Sequence, residues 1–294
     1  MKLLTVLPSA NILGEGPLWN EQDGKLWWTD IHACRLHRLT WSSGAVETTE
    51  MPERLCSFAF LAGGGSHILA AFESGLAYFD IETKALDWIA RVEKKGNGRR
   101  FNDGRTDRQG RFWVGTMVED EASAGADTGT LFCLERDGTL HPHMGGVAIS
   151  NSLCASPDGG TLYFADSPKK AIWAFDLDPE SGSISHKRIF AEVTEGEPDG
   201  AVTDSEGCLW SARWGAGEVV RHAPDGKVME TLKVPAGQAS CVAFGGPDLK
   251  TLFVTSARAG LDEAALDRDP EAGNLFIYES DVAGLPGVPF TPDR

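Results

Sequence analysis

The chain has 294 residues, of which 41% are hydrophobic and 24% charged, a composition typical of a globular protein and not of a disordered one. Its formal net charge of −16 argues against a broad nucleic-acid surface, because such a surface needs clustered Lys and Arg to displace counterions from phosphates. No apolar run approaches the roughly 18 residues of a membrane-spanning helix. A soluble, cytoplasmic protein with no nucleic-acid or membrane partner is therefore expected.

The N-terminal stretch MKLLTVLPSA is predicted to form an opening β-strand. Its apolar run of about five residues before Pro8 is short for a signal peptide. The six cysteines of the chain form no C-x-x-C pair, and most have apolar neighbours. Neither a zinc site nor a disulfide framework is therefore expected.

A short aliphatic and aromatic strand recurs along the chain, usually after a turn residue and before a second strand. In chain order the six copies are GKLWWTD, SHILAAF, GRFWVGT, GTLYFAD, GCLWSAR and KTLFVTS. Alignment of Leu26, Ile68, Phe112, Leu162, Leu209 and Leu252 gives steps of 42, 44, 50, 47 and 43 residues. Short strands that repeat at about 45 residues are typical of propeller blades.

This repeat predicts an all-β fold, a single six-bladed β-propeller domain over residues 1–294, and the polar register along it predicts a central channel that binds a metal. No long segment with helical periodicity competes with it, and no Pro/Gly/Ser-rich linker divides the chain. A β-sandwich or a pair of barrels is the alternative. The blade-length period disfavours both.

Polar residues share one register ahead of four of the copies. Glu15 and Asn151 lie 11 residues before their alignment points, and Asn102 and Asp199 lie 10 residues before theirs. In a propeller, residues at one offset form a ring at one end of the channel. The other two copies place Cys56-Ser57-Phe58 and Ser240-Cys241-Val242 there, which would leave the ring open.

Two carboxylates and one or two amide oxygens around a channel suit a hard divalent cation with open coordination positions. Open positions are typical of a catalytic metal. The alternative is that FNDG and EPDG are only turns, because Asn, Asp, Pro and Gly favour turns for local reasons. The shared register favours the ring, whereas Asp103, Asp107, Asp158 and Asp225 are interpreted as turn residues.

Three other features are given structural interpretations. His141 and His143 are expected in a surface loop between strands, away from the common register. The S-x-x-K pattern at Ser167–Lys170 is short enough to arise by chance. Trp214 follows one of the repeated strands and is expected to pack rather than to bind.

Five ordered motifs together resemble the SMP-30/gluconolactonase/LRE-like family, which includes regucalcin. They are LGEGPLW, RRFNDGRTDRQGRFWVGTM, SNSLCASPDGGTLYFADS, PDGAVTDSEGCLW and FGGPDLKTLFVTSAR, at residues 13–19, 99–117, 150–167, 198–210 and 244–258. The resemblance extends over essentially the whole chain. It implies a six-bladed propeller with one divalent metal in the central channel.

By this resemblance the metal ligands are Glu15, Asn151 and Asp199. The resemblance also assigns Arg100 and Asn102 to substrate binding, together with an acidic contact that either Glu119 or Asp120 could supply. The chain departs from the family pattern S-N-G-L-x-W, because Ser152 replaces its Gly and Ala155 its Trp. These departures concern the loop shape and the pocket, since Asn151 is retained.

The function that this resemblance implies is hydrolysis of a small-molecule sugar lactone to its aldonic acid, with Asp199 as general base. Ca²⁺ is the first expectation for the metal, and Zn²⁺, Mn²⁺, Mg²⁺ and Fe²⁺ are alternatives. An aryl esterase or organophosphatase, a calcium-binding regulatory protein and a non-catalytic interaction propeller are the other functions considered. A monomer or a small homo-oligomer is expected.

Overall fold

The computed structural model describes residues 1–293 and consists of six four-stranded antiparallel sheets arranged as a β-propeller. The first strands of neighbouring sheets lie against one another around the central axis. The prediction of a six-bladed all-β propeller is confirmed, and the β-sandwich and paired-barrel alternatives are wrong. The repeated strands of the sequence are the second strand of each blade, and the innermost strand precedes each of them.

The strands of the first three blades are β2 (Gly14–Asn20), β3 (Lys25–Asp30), β4 (Arg35–Thr40), β5 (Val46–Glu50), β6 (Leu55–Phe60), β7 (His67–Phe72), β8 (Gly75–Asp80), β9 (Leu86–Arg91), β10 (Arg99–Thr106), β11 (Phe112–Val118), β12 (Gly129–Leu134) and β13 (Leu140–Val147), preceded in the chain by β1 (Lys2–Leu7). Those of the last three are β14 (Ser150–Ala155), β15 (Thr161–Asp166), β16 (Ala171–Leu177), β17 (Ile184–Glu192), β18 (Glu197–Thr203), β19 (Leu209–Trp214), β20 (Glu218–His222), β21 (Val228–Lys233), β22 (Ala239–Gly245), β23 (Thr251–Ser256) and β24 (Leu275–Glu279).

Both ends of the chain contribute to the sixth blade. Its strand order is β1-β24-β23-β22, so the N-terminal strand forms the outer edge beside the last strand of the chain. The pairing runs from Lys2 opposite Glu279 to Leu7 opposite Leu275. This arrangement holds the ring closed by backbone hydrogen bonds, and it confirms the prediction of an opening strand.

The helices are short: α1 (Glu121–Ala124) and α2 (Glu263–Arg268), with one 3₁₀ turn at Ser167–Lys169. Within residues 1–293 there is no helix of the length and apolar character that a bilayer crossing requires. Both helices follow the second strand of their blade and therefore lie at the end of the channel where the innermost strands begin. We call this end the proximal end and the opposite end the distal end.

Burial is greatest near the axis and decreases outwards. The second strands β11 and β23 are buried along their whole length, whereas the fourth strands β5 and β21 are mostly exposed. The large side chains of Trp28, Trp113 and Trp210 are fully buried on second strands. Because the second strands are covered on both faces by neighbouring blades, they read as continuous apolar runs in the sequence.

Every innermost strand carries a bulge against its second strand near the proximal end. The register shifts lie at Glu15/Leu18, Leu55/Ser57, Phe101/Gly104, Asn151/Cys154, Pro198/Ala201 and Ala239/Val242. A bulge inserts an extra residue and redirects the side chains around it. Each of the four polar residues of the predicted ring lies at or within one of these bulges, and the other two bulges carry none of them.

At the distal end, two blades are anchored by a buried Asp in the hairpin after the innermost strand. The Asp204 carboxylate accepts hydrogen bonds from Trp210 Nε1 at 2.9 Å and from Arg221 Nη2 at 2.7 Å. Asp107 accepts equivalent bonds from Trp113 Nε1 at 3.0 Å and Arg111 Nε at 2.7 Å. The interpretation of Asp107 as a turn residue is confirmed.

We expect Asp204→Asn to lower the free energy of unfolding by roughly 2–3 kcal/mol, because it removes the buried charged partner of Arg221 and leaves only the exposed Glu206 to pair with its guanidinium. Asp225→Asn is the matched control, since the Asp225 carboxylate is exposed and pairs only with Lys227. Denaturant unfolding followed by fluorescence measures both variants. Equal stability of the two variants would contradict the role of Asp204.

Candidate metal centre and substrate site

Arg100, Asn102 and Asn151 form a chain of hydrogen bonds at the proximal end. Arg100 Nη1 donates to Asn102 Oδ1 at 2.6 Å, and Asn102 Nδ2 donates to Asn151 Oδ1 at 3.1 Å. All three side chains are buried. The structure therefore brings together the two amides of the predicted ring and the predicted substrate-binding arginine.

Ser167 orients the amide of Asn151. Asn151 Nδ2 donates to Ser167 Oγ at 2.8 Å, and Ser167 Oγ donates to the Pro198 carbonyl at 2.7 Å. With its nitrogen held by Ser167, the amide presents Oδ1 on the side of Asn102. The S-x-x-K pattern that begins at Ser167 thus contributes a positioning residue, which its sequence alone did not indicate.

Glu15 and Asp199 form the acidic part of the ring. Burial raises the pKa of Glu15 to about 8, and the negative charge of Asp103 adds to this increase. Burial also raises the pKa of Asp199 well above its usual value, and the charge of Glu15 raises it further. These shifts arise because like charges are close together in a site with little solvent. Such a site favours a cation.

Asp103 was interpreted as a turn residue, and this prediction is wrong. It lies within β10 in the bulge after Phe101, and it is 9% exposed. Its Oδ2 accepts a hydrogen bond from the Leu153 backbone N–H at 2.7 Å. Burial raises the pKa of this third carboxylate, although the charge of Arg105 opposes the increase. The FNDG stretch is a strand bulge and not a turn.

The bulge at Asn151 is braced from both neighbouring blades. Ser152 has a left-handed backbone with φ of 56°, a conformation that Gly adopts more readily than other residues. Its hydroxyl donates to the Asp199 carbonyl at 2.5 Å, while the next residue, Leu153, donates to Asp103. The replacement of the family's Gly by Ser152 therefore adds a direct link between the strands that carry Asn151 and Asp199.

Glu119 lies at the rim of the site between two guanidinium groups. Its Oε1 accepts hydrogen bonds from Arg100 Nε at 2.8 Å and from Arg54 Nη1 at 2.8 Å. Burial acts to raise its pKa, but the charges and hydrogen bonds of Arg100 and Arg54 outweigh this and lower the pKa to about 2. Glu119 is therefore ionised and in contact with the predicted substrate-binding arginine.

Asp120, the other acid proposed for substrate contact, caps the N-terminus of α1. Its carboxylate accepts hydrogen bonds from the Ala122 N–H at 3.0 Å and from Ser123 Oγ at 2.5 Å. These bonds lower the pKa of Asp120. Of the two adjacent acids, the structure thus places Glu119 against Arg100, while Asp120 stabilises the start of a helix.

Arg54 and His32 at the rim were not predicted from the sequence. Arg54 joins Glu119 to Glu73, and the charge of Arg100 adds to burial in lowering the pKa of His32. Their position in the chain is the signal that could have found them. Arg54 lies in the loop just before β6 and His32 in the loop just after β3, and both loops are at the proximal end. His141 and His143 belong to the outer strand β13, far from this rim, and not to a loop.

The donor set at the proximal end fits a hard divalent cation. Within residues 1–293 no three His, Cys, Asp or Glu side chains are grouped as metal ligands. The predicted metal ligands are not a group of that kind, because only two of them, Glu15 and Asp199, are carboxylates and the third is the amide of Asn151. Oxygen donors of this kind, buried and carrying excess negative charge, are typical ligands of Ca²⁺ and Mg²⁺.

The chain is similar to curated lactonases along almost its whole length. It is 36% identical over 284 residues to the 6-deoxy-6-sulfogluconolactonase of Pseudomonas putida, covering 96% of each chain. It is 38% identical over 280 residues to the L-arabinolactonase of Azospirillum brasilense, covering 94% of this chain and 91% of that protein.

A solved structure and a family model agree with these relatives. The crystal structure of regucalcin from Agrobacterium tumefaciens, described as a calcium-binding protein, superposes with a TM-score of 0.91 at 33% identity, covering 98% of this chain and 97% of that one. The model of the SMP-30/Gluconolactonase/LRE-like region matches residues 13–258. The chain therefore belongs to the SMP-30/gluconolactonase/LRE-like family, as its five motifs indicated.

Proposed function

We propose that this protein is a metal-dependent hydrolase that opens a sugar lactone to the corresponding aldonic acid. The observation that carries the proposal is the convergence of the buried Asp199, the half-buried Glu15 and the amide of Asn151 beside an Arg100–Glu119 pair at one end of the channel. The names of two relatives, 6-deoxy-6-sulfogluconolactonase and L-arabinolactonase, support the same reaction class.

Glu15, Asn151 and Asp199 would hold the cation. A divalent cation bound there supplies Lewis-acid polarisation of the lactone carbonyl. We propose Ca²⁺ as the ion, because the ligands are all oxygens and a related solved structure is described as calcium-binding. Burial and the charge of Glu15 raise the pKa of Asp199, and a cation bound beside it would favour its ionised form.

Asp199 acts as the general base in the proposed reaction. It accepts a proton from the water that attacks the lactone carbonyl carbon. The bond between that carbon and the ring oxygen then breaks, and the ring oxygen takes up the proton to become a hydroxyl group. The product is an open-chain hydroxy acid, and one water molecule is consumed.

Arg100, Asn102 and Glu119 orient the substrate. Arg100 offers a planar fork of donors, and it is held in place by Glu119 on one side and Asn102 on the other. Glu119, ionised and open at the rim, accepts hydrogen bonds from sugar hydroxyls. Because both residues bind polar groups, this site favours a polyhydroxylated lactone over an apolar aryl ester.

We expect Asp199→Asn to reduce kcat for lactone hydrolysis by about 10²–10⁴-fold, the usual contribution of a general base. Acid release from a panel of aldonolactones, measured after reconstitution with each divalent metal, tests the activity and the variant together. Metal content is determined on the same samples. Near wild-type turnover by metal-loaded Asp199→Asn would refute the base assignment, and metal binding without turnover of any lactone would favour a calcium-binding protein.

We expect metal to stabilise the protein more as pH rises toward 8. The folded, metal-free chain keeps Glu15 protonated up to about pH 8, whereas the unfolded chain ionises near 4.5, so ionisation destabilises the metal-free fold across this window. A bound cation requires the ionised carboxylates. The difference in Tm between Ca²⁺-loaded and chelated protein should therefore widen with pH, and Glu15→Gln should flatten this dependence. A constant difference in the wild type would contradict the linkage.

We expect Glu119→Gln to lower kcat/KM by about tenfold or more. The substitution removes the charge on the proposed hydrogen bond from a sugar hydroxyl to Glu119, and a bond of that kind contributes roughly 1.5–3 kcal/mol. Asp120→Asn is the matched control at the adjacent position and should leave kcat/KM unchanged, since its side chain caps α1. Steady-state kinetics on the best lactone of the panel compares them. A larger loss in Asp120→Asn would reverse the assignment of the two acids.

A further inference from the structure

A second cavity of about 290 Å³ lies at the distal end of the channel. Its walls include Trp19, Phe60, Ala155 and Phe244 at the ends of four innermost strands. The C-terminal segment at residues 285–289 forms another wall. This segment is fixed by Thr106 Oγ1, which donates to the Val288 carbonyl at 2.5 Å, and by Arg108. The volume is close to the lower limit for small-molecule sites, about 300 Å³.

The distal cavity is separate from the candidate metal centre. Asn151 and Ala155 are four residues apart on β14, which corresponds to about 13 Å at ~3.3 Å per residue. Glu15 and Trp19 have the same separation on β2. None of the three predicted metal ligands lines the distal cavity.

Arg105 lines the distal cavity with few partners for its donors. Its Nη1 and Nη2 approach the Pro17 and Ala201 carbonyls at 3.5 Å, and Nη2 lies 3.8 Å from Cys241 Sγ. Its Nε is buried and has no hydrogen-bond partner among residues 1–293. All of these short contacts are to uncharged groups, and at longer range the charge of Arg105 lowers the pKa of Asp103 and Glu15. A buried donor without an acceptor is costly, so an anion within reach would be favourable.

Arg108 supplies a second cation on the same wall. Its one hydrogen bond within the part of the chain that the structure describes is from Nη1 to the Pro286 carbonyl at 3.0 Å. Of the other charged residues of the lining, His67 pairs with Asp80, and Glu21 is exposed. Arg105 and Arg108 therefore present two guanidinium groups to the distal cavity, whereas carboxylates dominate the proximal end.

The remaining walls are apolar and are wide enough for a ligand body. Trp19, Phe60 and Phe244 surround the space, and Ala155 lies on the wall between them. The small side chain of Ala155 leaves room that an indole would occupy. The second departure from the pattern thus affects the distal cavity, and not a pocket beside the metal ligands.

We propose that the distal cavity is a second binding site, for a small organic anion with an apolar body and a carboxylate group. The carboxylate pairs with Arg105 and Arg108, whose planar guanidinium groups match its geometry. The apolar body fills the space beside Ala155 and contacts the aromatic walls. This site does not depend on the proposed lactonase activity.

Isothermal titration calorimetry with benzoate tests the proposal on both chelated and Ca²⁺-loaded protein. We expect saturable binding in both forms, because none of the predicted metal ligands lines the cavity. Benzamide has nearly the same shape without the charge, and acetate has the charge without the ring. Each should bind at least tenfold more weakly than benzoate. The absence of benzoate binding, or equal binding of benzamide, would overturn the proposal.

Two variants locate the site. Ala155→Trp should abolish benzoate binding by filling the cavity, and Arg108→Gln should weaken it about tenfold or more. Arg188→Gln is the control, since Arg188 is an exposed residue of blade four that pairs with Asp176. Circular dichroism confirms folding. If Ala155→Trp does not fold, Arg108→Gln decides the question, because unchanged affinity in that variant places benzoate elsewhere and refutes the site.

Discussion

Like charges buried around one axis are the constraint on which the channel depends. Glu15, Asp103 and Asp199 come from three different blades. Burial raises the pKa of each, Asp103 raises those of Glu15 and Asp199 further, and Glu15 raises that of Asp199. A fold tolerates such a group either by keeping carboxyl groups protonated, as the raised pKa of Glu15 indicates, or by placing positive charge beside them. Arg100 and Arg105 lower the pKa of Glu15, and a divalent cation would add positive charge among the three carboxylates. The proposed metal centre thus completes an electrostatic balance that the chain alone leaves open.

The bulges of the innermost strands make this concentration of polar groups possible. A regular strand alternates its side chains between the two faces of a blade, so few would point along the axis. The bulges redirect them, and contacts between blades hold the result: Ser152 bonds to the Asp199 carbonyl, and Asp103 to the Leu153 N–H. At Gly200 a β-carbon would overlap Cys241 Sγ on β22, the innermost strand of the neighbouring blade. Close approach therefore constrains the position after Asp199.

The two ends of the channel differ in charge, and Arg105 lies between them. At the proximal end, carboxylates dominate and the arginines are paired, as Arg100 is with Glu119. At the distal end, Arg105 and Arg108 contact only uncharged groups within residues 1–293. One channel can therefore present a cation site and an anion site about four residues apart along the same strands.

The sequence by itself determined the number of blades and the polar register, because a period near 45 residues and the offsets of Glu15 and Asn151 are properties of local pattern. Tertiary structure alone decided that Asp103 belongs to the channel, that Glu119 rather than Asp120 meets Arg100, and that Ala155 lines a second cavity. The physical reason is that side-chain direction at a bulge, and contact between blades distant in sequence, are set only when the ring closes.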